Sequence, residues 1–281
     1  YPGRRGPGRY PGAMVRASLR VSLRRTLVTT AAALLLFACG EGPTPRRGMI
    51  LVLADSSAGH GPVYAALAQD ALVLRGGLRR PGVELPAPTP VELRVELFTG
   101  RRDEGHLDEP YEHLPHLPWA LGRAGRRLIG VTSESGLSEG HGFEPAFADE
   151  LMRVPVAEEL LRVPVAEVPA RAKAALDELD AWAEERGHVR GPIFLMADLA
   201  GGSAAELDEL LTGLEPELPE SHVFIYFTGA DPPDRLLISG PNLPTGARDR
   251  AVDPRDLYPT VVELAQVPPP TVLQGVDLLV E

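Results

Sequence analysis

The chain has 281 residues, 44% of them hydrophobic, a single cysteine and a formal net charge of −11. That length and apolar content suit one medium-sized core rather than two independent ones. The acidic balance argues against binding nucleic acid or anionic headgroups through basic patches. Having only Cys39 excludes an internal disulfide, a cysteine-based metal cluster and a cysteine nucleophile in the folded domain.

Residues 1–13 are rich in Gly, Pro and Arg without an apolar period and read as an extension upstream of the true start. Residues 14–38 have the order of a secretory signal: Arg16, Arg20, Arg24 and Arg25, then the apolar run from Leu27 to Ala38, too short for a membrane span. Ala38 directly before Cys39 resembles a bacterial lipoprotein signal. The resemblance implies lipidation of Cys39 and a membrane partner through that anchor, at the outer membrane of a bacterial cell envelope facing the periplasm, or exported. Seven arginines and no acids precede Cys39, so losing them takes the net charge from −11 to −18. Residues 39–47 carry two prolines and read as a tether, with the folded domain covering residues 48–281.

Met49 to Ala54 is a continuous apolar run with β-branched members, as in a strand covered on both faces. Asp55 follows at its carboxyl end, where ligands sit in open α/β sheets. Tyr64 to Leu74 has helical apolar spacing, Arg94 to Phe98 is a short mixed segment, and Leu128 to Thr132 is a strand candidate. The hexapeptide from Arg153 to Glu158 recurs from Arg162 to Glu167 and reads as a duplication in a surface loop. Ala166 to Arg186 is predicted as a helix, with Leu176, Leu179, Trp182 and Ala183 on one stripe and Gly187 as its stop. Ile193 to Ala197 is a strand, Leu207 to Leu214 an amphipathic helix and Val223 to Phe227 a further buried strand. Strands alternating with helices imply an α/β fold with a largely parallel sheet and helices on both faces.

From Met49 onward the order of motifs resembles the sulfatase family of the alkaline-phosphatase-like superfamily. Met49 to Asp55 is similar to that family's first strand with its metal-binding aspartate, and Leu97-Phe98-Thr99-Gly100-Arg101 to the close of its nucleophile helix. Leu121 to Val131 is loosely similar to a middle strand, and Gly140 to Glu144 to a turn downstream of it. Three C-terminal segments are more specific: Leu236 to Gly246, Asp256 to Ala265 and Leu273 to Leu279.

The same resemblance implies where the chemistry would sit, and most of those positions are substituted. Counting back from Gly100 puts Pro90 at the nucleophile, with Glu92 and Leu93 at the next family positions; only Arg94 is retained. Proline has no side-chain oxygen or sulfur, leaving Thr89, one residue earlier, as an atypical nucleophile or simply a helix cap. For the metal, Asp55 is retained, Ser56 stands where a second aspartate is usual, and Asp231 supplies one further oxygen after a shift. That is too few carboxylates for calcium or magnesium, so no cofactor is expected unless the chain is active. Asp198 stands in place of the catalytic histidine, and Gly201-Gly202-Ser203 follows it. Glu112, His113 and His116 invite a zinc reading, but Pro115 and Pro118 interrupt the helix such spacing needs, and a solvated loop is expected.

The sequence therefore predicts a sulfatase-like envelope lipoprotein that has lost ester hydrolysis. Two alternatives remain at this stage: an active sulfate- or phosphate-ester hydrolase using Thr89, Arg94, Asp55 and Asp231, and a periplasmic binding or scaffold protein.

Overall fold

The computed structural model describes residues 47–55, 61–78, 90–101, 116–133, 160–188, 190–228, 234–268 and 273–280, all within one compact unit, Arg46–Glu281. Cys39, Ser56, Thr89, Glu112, His113, the 140–144 turn, the first hexapeptide copy and Asp231 lie outside the described residues.

Among the described residues, eight strands form one sheet: β1 (Gly48–Ala54), β2 (Leu72–Leu74), β3 (Arg127–Ser133), β4 (Leu160–Val163), β5 (Ile193–Leu199), β6 (Ser221–Phe227), β7 (Leu236–Ser239) and β8 (Gly246–Arg248). Their order is β4-β3-β5-β1-β6-β7-β2-β8. β1 lies between β5 and β6, parallel to both. β3 is parallel to β4 and β5, β2 is parallel to β8, and only β7 runs antiparallel, against β6 and β2. Met49 to Ala54 are fully buried, as a continuous apolar run in a central parallel strand requires.

Strand alternation divides the core between the two faces. On one, Met49, Leu51 and Leu53 pack with α2 (Pro90–Thr99), α3 (Leu117–Arg123) and α6 (Leu257–Leu264). On the other, Ile50, Val52 and Ala54 pack with α1 (Pro62–Gln69), α4 (Val168–Glu185) and α5 (Ala204–Gly213). Burying each such aliphatic side chain contributes on the order of 1.5–3 kcal/mol. The fold is α/β, with a largely parallel sheet between helices, as expected.

Several elements differ from the sequence reading. The helix expected through Leu74 ends at Gln69, and Leu72–Leu74 instead forms β2 against β7. Arg94 to Phe98 belongs to a full helix, α2, beginning at Pro90, where a proline costs no helical hydrogen bond. Its residues from Leu93 to Phe98 are all buried, so it lacks the polar stripe by which a surface helix is recognised. The second hexapeptide copy is not simply loop: Arg162 and Val163 belong to β4, and Val165–Glu167 forms a 3-10 turn. His116 is buried rather than solvated, and its Nδ1 accepts from the Trp119 N–H at 3.3 Å, capping α3. Pro118 lies in the first turn of that helix instead of breaking it.

The C-terminal motifs are fastened to each other and to α2. The Thr260 hydroxyl donates to the Asp256 carbonyl at 2.7 Å and accepts from the Leu278 N–H at 2.8 Å. The Asp256 carboxylate accepts from the Val276 N–H at 2.9 Å, and the Gln274 N–H donates to the carbonyl of Gly100 at 3.2 Å. Gly100 closes α2 with φ +63°, the left-handed conformation that glycine adopts without penalty at a helix end.

Candidate functional site

Four strands end together at the carboxyl edge of the sheet, on the face covered by α2. Register places Asp198 of β5 beside Leu53 of β1 and Thr132 of β3, and Ala54 beside Phe227 of β6. Asp55 and Thr228 follow directly on the last residues of β1 and β6. This is the edge at which doubly wound sheets hold their ligands.

Arg94, on the second turn of α2, reaches down to Asp198. Its Nε donates to Oδ2 at 2.7 Å and its Nη2 to Oδ1 at 2.8 Å, and both side chains are fully buried. The planar fork of arginine fits two carboxylate oxygens at once, the strongest form of ion pair. Asp198 Oδ1 also accepts from the Ala200 N–H at 3.1 Å, and Oδ2 from the Thr132 hydroxyl at 3.4 Å. Three N–H donors thus converge on one carboxylate, with the Thr132 hydroxyl shared between it and the Ser133 carbonyl at 3.3 Å, and the buried charge is compensated within the protein.

Asp55 is tied down separately. Its Oδ2 accepts from the Gly201 N–H at 2.6 Å and its Oδ1 from the Thr228 hydroxyl at 2.9 Å. Gly201 has φ +80°, a left-handed turn that glycine adopts readily and that sends the chain back toward β1. Just beyond it, Ser203 caps α5 through the Ala205 N–H at 3.2 Å, and Glu206 closes a capping box. The Thr228 N–H donates to the Ala54 carbonyl at 2.8 Å, fixing the hydroxyl over the end of β1.

The structure therefore places two of the predicted site residues, Asp55 and Arg94, at one edge of the sheet, but gives each a protein partner. Thr89 and Asp231 fall outside the described residues, so their positions are not part of this geometry. Asp198 was recognised in the sequence only as a replacement; its pairing with Arg94 was missed, as were Thr132 and Thr228. The available signal was an acid at the end of one strand matched by an isolated arginine in a segment that covers the same edge.

A hard cation requires six or more oxygen ligands drawn together. Among the described residues, an N–H and a hydroxyl donate to Asp55, and the oxygens of Asp198 face a guanidinium. Among the described residues, no three or more His, Cys, Asp or Glu side chains are grouped as a metal site. The buried histidines lie elsewhere: His116 caps α3, and His222 lies at the amino-terminal end of β6, opposite the edge where the strands finish. Burial pushes each of them down to about 4, in His222 with help from Arg47 and Arg126.

No family model matches the sequence, and no curated protein matches it. Solved structures do. The chain superposes on the sulfatase PsFucS1 from a Pseudoalteromonas species with a TM-score of 0.51 and 14% identity, covering 83% of this chain and 71% of that one. It superposes on the lipoteichoic acid synthase LtaP of Listeria monocytogenes with a TM-score of 0.56 and 12% identity, over 85% and 76% of the two chains. An alkaline-phosphatase-superfamily protein of Vibrio parahaemolyticus gives 0.56 and 12%, over 83% and 70%. The protein has the sulfatase-like fold of the alkaline-phosphatase superfamily.

Proposed function

We propose that this chain is a sulfatase-like lipoprotein of a bacterial cell envelope that keeps the fold of an ester hydrolase without its reaction. The observation that supports this most directly is the pair between Arg94 and Asp198. Ester hydrolysis on this fold calls for an activated nucleophile, a cation beside it and a proton donor for the leaving oxygen. At the nucleophile position, α2 begins with Pro90, which has no atom to attack with. At the position that the resemblance gives to the histidine stands Asp198, which accepts from Arg94, the Ala200 N–H and the Thr132 hydroxyl.

The guanidinium of Arg94 is already bonded through two nitrogens, and a second buried guanidinium at this edge, that of Arg235, donates through Nη1 to the Phe227 carbonyl at 2.8 Å. Resident calcium or magnesium is not part of this proposal, because the retained Asp55 is held by an N–H and an O–H and Asp198 by the Arg94 guanidinium. Anchoring through Cys39, with the domain displayed from the envelope, completes the reading and rests on the sequence order of residues 14–39.

The test is turnover of aryl sulfate and aryl phosphate by purified protein, with bound metal measured by mass spectrometry and Thr89→Ala as the control. The proposal expects no turnover above buffer and no stoichiometric metal. Metal-dependent turnover abolished by Thr89→Ala would establish the active-hydrolase alternative instead.

A further inference from the structure

The repeat in the sequence meets the fold at one margin of the sheet. It is longer than the hexapeptide: Glu150–Glu158 and Glu159–Glu167 share eight of nine residues and differ only in Met152 against Leu161. The downstream copy supplies β4, the first strand in the sheet order, whose outer side has no neighbouring strand among the described residues. The upstream copy falls outside the described residues.

A short apolar stripe holds β4 in place. The strand lies parallel to β3, with Val131 beside Leu161 and Ser133 beside Val163. Leu161, Val163 and Val165 are half-buried and pack on the core shared with α4, while Arg162, Pro164 and Ala166 between them are exposed. Each residue of that stripe has a counterpart nine positions earlier: Met152, Val154 and Val156. Methionine for leucine is a volume-conserving exchange that packed sites tolerate well. Slipping a strand by an odd number of residues ordinarily turns its apolar side outward. Here a slip of nine restores the same kind of residue at every place.

The chain on either side accommodates that slip. Parallel strands need a crossover of roughly a dozen residues or more. Between Ser133 and Leu160 the chain has 26 residues, 134–159, and with the upstream copy in place it would keep 17, residues 134–150. The link from β4 to the start of α4 would grow from 4 residues, 164–167, to 13, residues 155–167, and closure entropy rises slowly with loop length. The 3-10 turn in that link, with the Glu167 N–H donating to the Pro164 carbonyl at 2.8 Å, favours the downstream copy.

We infer that the two copies compete for one place at the margin of the sheet: residues 151–154 replace Leu160–Val163 by a nine-residue slip, giving the chain two folded registers. The slip moves nine residues out of the crossover and into the link that leaves β4 at the carboxyl edge, where Val163 lies beside Ser133 and Asp198 beside Thr132. Two packings of one sequence that differ so little form a two-state element.

The test uses valines that occupy the same place in both copies. Val163→Asp sets a charge into the downstream stripe and Val154→Asp into the upstream one. Each single variant should lower the folding equilibrium constant less than about tenfold, and the double variant at least about tenfold beyond the two effects combined, as urea unfolding measures. Met152 reports the register. In protein with ¹³C-methyl methionine, its signal, assigned by Met152→Leu, should gain a nuclear Overhauser contact to Val131 in Val163→Asp. Deleting residues 150–158 leaves one copy and the 17-residue crossover, and should leave the protein folded. Loss of the fold in Val163→Asp or in the deletion variant, additive effects in the double variant, or no contact between Met152 and Val131 in folded Val163→Asp would overturn the inference. A dimer of Val163→Asp in sedimentation would also overturn it, giving the place to a second molecule's copy. Every readout concerns folding, so the outcome is separate from whether the protein turns over esters.

Discussion

Arg94 and Asp198 lie 104 positions apart in the chain and meet as a buried, two-bonded ion pair, with Nε–Oδ2 at 2.7 Å and Nη2–Oδ1 at 2.8 Å. The arginine stands on the second turn of its helix and the acid on the last but one residue of its strand, and they meet at the carboxyl edge of the sheet. Their union makes an internally neutralised contact. Removing either member alone leaves a charge stranded in the core, whereas removing both leaves only a change of packing.

Asp198→Ala should therefore destabilise the protein by about 3–5 kcal/mol, and Arg94→Met by a similar amount. The double variant Arg94→Met/Asp198→Leu should cost much less than the sum. Urea midpoints of the four proteins give the coupling energy directly. Additive losses would mean that the two side chains do not stabilise each other.

Restoring an imidazole at the family position should not restore chemistry. Asp198→His places a bulkier group against Arg94 without supplying a nucleophile at Pro90. The expected outcome is a lower melting temperature and no gain in aryl sulfate or aryl phosphate turnover, checked by thermal unfolding and a chromogenic assay.

The C-terminal fastening should be sensitive to small changes. Thr260→Val removes the hydroxyl that bonds the Leu278 N–H and the Asp256 carbonyl, leaving buried groups unmet at a cost of ~1–3 kcal/mol. Gly275→Ala is more severe, since a Cβ there would lie 2.0 Å from the backbone carbonyl oxygen of Arg255. Denaturant unfolding should rank Gly275→Ala below Thr260→Val, and both below the parent.

The buried histidines set a pH dependence. His116 and His222 have folded-state values pushed down to about 4 from 6.5. Between those values the unfolded chain binds more protons than the native one, so stability rises with pH across this window and is lost as pH falls from 6.5 toward 4. Each histidine contributes up to ~3 kcal/mol to that slope. His116→Asn keeps a side chain able to cap α3 and should flatten the profile of urea midpoint against pH, measured from 4.5 to 7. An unchanged slope would show that His116 does not remain neutral in the fold.

Much of the sheet was legible because its central strands are apolar runs that no other element explains. Met49 to Ala54, Ile193 to Ala197 and Val223 to Phe227 are the clearest. Leu72–Leu74 was absorbed into the preceding helix because apolar spacing continues across Asp70 and Ala71, and nothing local announces that Val73 pairs with Leu237. Arg94 to Phe98 looked mixed because its helix is buried on all sides. At the site, the positions of Asp55 and Arg94 could be read, but not their partners. The Gly201 N–H comes from a left-handed turn and Thr228 from a neighbouring strand; both contacts depend on strand order, which only the folded sheet fixes. His116 was misread because two prolines suggested a loop, whereas one of them opens a helix.

Under the proposed function, Asp55 is a carboxylate bonded to the Gly201 N–H and the Thr228 hydroxyl and not a ligand of a resident cation. Calcium titration by calorimetry, comparing the parent with Asp55→Ala, tests that claim most directly. The account predicts the same heats of dilution for both. Saturable uptake of one calcium per chain by the parent, lost in Asp55→Ala, would contradict it.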